Sequence, residues 1–110
     1  MKKFIILYNG PATPRENMTA EVRNAIMRKW GEWMGKIGSA MVDTAQPMAN
    51  GVAVVDDGSE GKAALLNGYS IIQAKDMKEA EALVEGHPFL SDHSGKFSVE
   101  IYELLPVPNM

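Results

Sequence analysis

The chain has 110 residues, 45% of them hydrophobic and 23% charged, with a net charge of −3. That is one domain, 1–110, with enough core to fold without disulfides or metals, and the acidic balance argues against a nucleic-acid partner. There is no cysteine, which excludes thiolate catalysis, disulfides, iron–sulfur clusters and zinc–thiolate sites together.

The first element is the apolar run Phe4 to Tyr8. It is far shorter than the roughly 20 residues a membrane helix needs. It follows Met1-Lys2-Lys3 but is too short for a signal-peptide core, and no small-residue cleavage site follows it. The expected location is therefore the cytoplasm, with no membrane partner. A continuous β-favouring run of this kind reads as a central strand covered on both faces. Asn9-Gly10-Pro11 ends it.

A long helix follows. Thr13-Pro14-Arg15-Glu16 reads as a capping box, and Thr19 is a second candidate cap. Val22, Ile26, Met27, Trp30, Trp33, Met34 and Ile37 recur at helical spacing and form one apolar stripe. Gly38 suits the residue after the helix. Ala40 to Asp43 reads as a short strand that Thr44-Ala45-Gln46-Pro47 ends. Met48 to Lys62 reads as a long loop or hairpin extension, rich in Gly and Asp, with an apolar island at Val52 to Val55. A stretch of this length is often functional, as a lid or a dimer arm.

Leu65 to Ala74 is the next strand. A second helix starts at Asp76, with Glu79 completing a capping box. Ala80, Leu83 and Val84 form its stripe and Gly86 closes it. The last strand runs from Phe97 to Leu104, with Phe97, Val99 and Ile101 on one face. The order β-α-β-β-α-β predicts an α+β, ferredoxin-like fold: a four-stranded antiparallel sheet with two helices on one face. The other face carries too many apolar residues to stay wet, so a homodimer is expected to cover it.

Chemistry-bearing residues are few. His87 follows the second helix among apolar neighbours, and histidine is the usual general acid or base near neutral pH. The alternative is a structural histidine capping that helix through free carbonyls. Asp92-His93 lies in a turn and reads as solvated. His87 and His93 together form too weak a pattern for a metal site, so no metal and no cofactor are expected. Asp43 at a strand end, and Tyr8 and Tyr69 within strands, are candidate polar contacts. Trp30, Met34 and Phe89 offer an apolar wall, although helical spacing equally makes the tryptophans core residues. Glu100 and Glu103 read as solvated.

Taken together, Phe4 to Tyr8 with Gly10-Pro11, Trp30-Gly31-Glu32-Trp33-Met34, Asp43-Thr44-Ala45-Gln46-Pro47, Gly68-Tyr69-Ser70-Ile71, Gly86-His87-Pro88-Phe89-Leu90 and Val99 to Leu104 resemble the YCII-related family, in particular its DGPF-type branch. The resemblance spans almost the whole chain. It implies a dimeric α/β barrel and a cleft in which a His–Asp pair is the proposed catalytic unit. The family's His position in the first helix falls on Met27 here, and its Asp position before a proline falls on His87. The pair is not preserved.

Two functions follow as expectations. The first is a cofactor-independent isomerase or lyase acting on a small apolar or aromatic metabolite. His87 would be its catalytic residue, with Tyr8, Met27, Trp30, Met34, Asp43, Tyr69 and Phe89 around the ligand. The alternative is a non-catalytic small-molecule-binding or protein-interaction dimer. An oxygenase using Asn9, Trp30 and His87 rests on fold analogy alone.

Overall fold

The computed structural model describes residues 1–11, 19–49, 51–91 and 93–108. Among these residues, six strands and two helices run in the order β1 (Lys2–Asn9), α1 (Ala20–Ile37), β2 (Met41–Pro47), β3 (Ala53–Val54), β4 (Glu60–Gly61), β5 (Leu66–Ala74), α2 (Met77–Val84) and β6 (Ser98–Leu104). Short 3-10 turns sit at Gly38–Ala40 and Pro88–Leu90. The main sheet is antiparallel with order β2-β5-β1-β6. This mixed α+β arrangement is consistent with a ferredoxin-like fold. No helix among the described residues is long and apolar enough to cross a membrane.

Alternation along the two central strands decides which side becomes core. Phe4, Ile6 and Tyr8 of β1 lie on the same face as Ser70, Ile72 and Ala74 of β5, and all six are buried. Trp33 and Ile37 of α1 and Ala80 and Val84 of α2 close over that face. The indole N–H of Trp33 donates to the Leu83 carbonyl at 2.9 Å, tying the helices together. On the opposite face Ile5, Leu7, Tyr69 and Ile71 are only partly buried and Tyr102 is exposed. The run from Phe4 to Tyr8 is therefore central in the sheet but covered by helices on one side only. An unbroken apolar run could not reveal this, because such a run fits either burial pattern.

The helix starts show which caps are used. The Thr13–Glu16 box lies outside the described residues. Thr19 is the N-cap of α1, its Oγ1 accepting from the Val22 N–H at 3.1 Å. Asp76 caps α2 by accepting from the Glu79 N–H at 2.9 Å. The returning bond from the Glu79 carboxylate goes to the Lys75 N–H, one residue before the cap. Gly38 takes up a positive φ of 52° directly after α1, which a side chain would resist.

Two elements differ from expectation in extent. β2 continues through Thr44 to Pro47. It is an edge strand, so Pro47 need not donate to the ladder, and its register shifts between Met41 and Asp43 and between Asp43 and Gln46. The stretch after it carries a small second sheet, β3 paired with β4. The close approach of β2 to β5 is set at Gly68. A Cβ there would lie 2.9 Å from the Gln46 carbonyl oxygen.

Candidate functional site

At the end of the sheet where β1 finishes and β5 begins, α1 overhangs the strands and leaves a cavity of about 400 Å³. Ile26, Met27, Trp30 and Met34 form its helix side. Tyr8, Gln46, Pro47, Asn67, Gly68 and Tyr69 form its sheet side, and Phe89 contributes from the turn after α2. The volume suits a small organic molecule. Among the described residues, none in the wall carries a formal charge at neutral pH.

Behind one wall lies a buried polar network. His87 is 2% exposed and sits in a ring of aromatic side chains. Its imidazole centroid is 4.1 Å from that of Trp33, 4.7 Å from Trp30 and 5.0 Å from Tyr8. Burial pushes its pKa down to about 4, so the ring is neutral at pH 7. The Phe89 backbone N–H donates to Nδ1 at 3.0 Å. A neutral imidazole accepting at Nδ1 carries its proton on Nε2. Nε2–H therefore donates to the Tyr8 hydroxyl, 3.0 Å away. The same hydroxyl is 2.8 Å from Ser70 Oγ. Burial raises the Tyr8 phenol to about 12, outweighing the opposing effect of Ser70, and the group stays protonated.

His87 is thus placed by two local events. Its backbone N–H bonds to the Val84 carbonyl, finishing the turn after α2. Its side chain caps the following 3-10 turn through Nδ1. The expected helix-end role is corrected in detail: the imidazole meets a free N–H of the next turn, not a carbonyl of α2.

Of the residues singled out in the sequence, Tyr8, Met27, Trp30, Met34, Tyr69 and Phe89 all line the cavity. Asp43 does not, but accepts from the Tyr69 hydroxyl at 3.4 Å. Its negative charge is the main cause that raises the Tyr69 phenol above its usual range. His87 stands behind the wall, touching it through Tyr8 and Trp30. His93 is exposed at a positive φ of 59°, and Asp92 lies outside the described residues. Glu100 accepts from the Asn9 amide at 2.9 Å and Glu103 pairs with Lys2 at 3.6 Å, both at the surface. Sequence reading missed Ile26, Gln46, Pro47, Asn67 and Gly68 as wall residues. Ile26 was visible in the helical stripe. The other four come from two strand ends that only the β2–β5 pairing brings together.

The family model of the YCII-related domain matches residues 1–106. The chain belongs to the YCII-related family. Among solved structures, this YCII-family chain is similar to 5-chloro-2-hydroxyhydroquinone dehydrochlorinase (TftG) from Burkholderia phenoliruptrix, in complex with 2,5-dihydroxybenzoquinone. The two share 15% identity with a TM-score of 0.57, over 94% of this chain and 93% of the other. At that identity the likeness concerns the fold. No curated protein matches the sequence.

Proposed function

We propose that this YCII-family protein binds a small, neutral, flat molecule in the cavity under α1 and acts on it by cofactor-independent proton transfer. One observation carries the reading. Tyr8 is both a wall of the cavity and the residue that His87 and Ser70 hold by its hydroxyl. The aromatic and thioether walls favour an aromatic ligand, by stacking and by soft dispersion contacts. With no charged side chain in the wall among the described residues, a carboxylated ligand is disfavoured, since its charge would be stripped of water without a partner. The Tyr8 phenol keeps its proton at neutral pH, so its part is that of hydrogen-bond donor or acid. His87, neutral and donating through Nε2, acts through Tyr8. The structural neighbour's activity on a substituted hydroquinone is in keeping with this class of ligand. The uncovered sheet face, with Ile5, Leu7 and Ile71, supports a homodimer in which two sheets cover each other.

A non-catalytic binding protein is the second reading. The observation that favours it is that both His87 ring nitrogens are already engaged, and that among the described residues no carboxylate lines the cavity.

The test begins with native mass spectrometry of freshly purified protein, which reads the dimer and any retained small mass. Hydroquinone and 1,4-benzoquinone derivatives are then titrated, with the intrinsic fluorescence of Trp30 and Trp33 as the reporter. Against a compound that is turned over, Tyr8→Phe keeps the ring wall and removes the hydroxyl. Turnover should fall by about 10²-fold or more while affinity changes little. Turnover within a few-fold of the parent would defeat the enzymatic reading, and binding without turnover of any compound would leave the binding one.

A further inference from the structure

Two stretches of this chain leave apolar side chains more than a third exposed, and their charges are opposite. The first is the leading half of α1, 20–29, in which every residue is exposed. Val22, Ile26 and Met27 form its apolar stripe at 48%, 39% and 68% exposure. Arg23, Arg28 and Lys29 outnumber Glu21 beside them. The second is the arm that leaves the cavity rim after Pro47 and returns at Leu66. Val52, Val54, Val55 and Leu65 are exposed on it. Asp56, Asp57 and Glu60 outnumber Lys62.

The arm has a shape of its own. Ala53 pairs with Gly61 and Val54 with Glu60, and the tip is closed by Val55 N–H to the Ser59 carbonyl at 2.8 Å. Asp57 accepts from the Ser59 N–H and hydroxyl, fixing the turn. Ribbons of two-residue strands do not hold in water without a surface to lie on. Among the described residues, none in the arm is hydrogen-bonded to its own α1. The chain is also more spread than a compact body of its size: its radius of gyration is 15.7 Å, against about 13 Å expected for roughly 100 residues.

We propose that the arm of one copy seats on the leading half of α1 of a second copy, closing that copy's cavity on its helix side. Val54 and Val55 would cover the Val22–Ile26–Met27 stripe, with the arm's carboxylates against the helix's arginines and lysine. About the two-fold axis of that dimer the exchange is reciprocal, arm to helix and helix to arm, and ends at two copies. The inference rests on the dimer proposed above, but not on what the cavity holds.

The absence of cysteine makes the test clean. Val54→Cys and Val22→Cys change exposed residues that lie outside the cavity wall. The two variants, differently tagged, are co-expressed, purified and mildly oxidised. The expected result is a disulfide-linked pair carrying both tags. The Val54→Cys/Val22→Cys double variant should give linked dimers. A chain linked within itself would show that the arm closes over its own helix, and would overturn the proposal. A native mass of a dimer with no linkage would overturn the arm exchange and leave the sheet-to-sheet dimer standing; a monomer would remove both. Charge reversal gives an independent reading. Asp56→Lys with Glu60→Lys should weaken the dimer by roughly tenfold, and mixing with Arg23→Glu/Arg28→Glu chains should restore part of that loss. Unchanged dimer affinity in both reversals would also overturn it.

Discussion

From Trp30 to Ile37, α1 lies against the sheet: Trp33 and Ile37 are buried and Trp30 and Met34 are partly so. From Ala20 to Lys29 the same helix, with the same apolar stripe, is exposed at every residue. The spacing of Val22, Ile26 and Met27 is no different from that of Trp30, Trp33 and Ile37. What differs is what stands opposite. The trailing half faces the buried side chains of β1 and β5. The leading half runs past the sheet's end, where the strands give way to the arm. A helix held by half its length can roof a cavity with the other half.

The largest expected effect that sharpens this contrast is at Trp33. Trp33→Ala removes a buried indole and the bond that ties α1 to the Leu83 carbonyl, and should cost about 3–5 kcal/mol in urea unfolding. A loss below about 1 kcal/mol would mean that the trailing half is not the anchor.

Next is pH. An exposed histidine titrates at 6.5, but burial holds His87 at about 4. The unfolded chain therefore takes up a proton on falling through 6.5, while the folded chain waits until about 4. The full stability is present above about 6.5 and drains as the pH falls towards 4. The drain should be on the order of 3 kcal/mol, at about 1.4 kcal/mol per pKa unit. Thermal melts across that range, with His87→Ala beside the parent, isolate it. Parallel slopes for the two would remove His87 as the source.

At the cavity floor, Gly68→Ala sets a methyl group 2.9 Å from the Gln46 carbonyl oxygen, which is backbone and cannot swing aside. Roughly 1–3 kcal/mol of destabilisation is expected, together with weaker ligand binding, because β2 must move away from β5. At the start of the exposed half, Thr19→Ala loses the cap on the Val22 N–H, a cost of about 1 kcal/mol.

The smallest change in stability is expected at Met27, 68% exposed. Met27→Ala should move unfolding by less than about 0.5 kcal/mol yet weaken ligand binding measurably, since Met27 is part of the cavity wall. A large stability loss there would show that the leading half is packed more firmly than its exposure indicates.

Order and period were legible without coordinates. The alternation of Val99 and Ile101 in β6 and the 3.6-residue stripes of α1 and α2 are local properties, and so are the caps at Thr19 and Asp76. The family likeness was legible because its motifs keep their order along the chain. The cavity was legible only in part. Tyr8, Trp30 and Phe89 drew attention by type. Gln46, Pro47, Asn67 and Gly68 have no signal in isolation, because they become a wall only when an edge strand and a central strand register against each other.

The sequence by itself determined the elements, their succession and the absence of thiol chemistry, since each depends on neighbouring residues or on composition. Tertiary structure decided which half of the long stripe is core. It also decided that His87 speaks to the cavity through Tyr8, with its proton fixed on Nε2 by the Phe89 N–H. Those outcomes depend on contacts between residues up to 79 positions apart, and the energy of such a contact is not written in either residue alone.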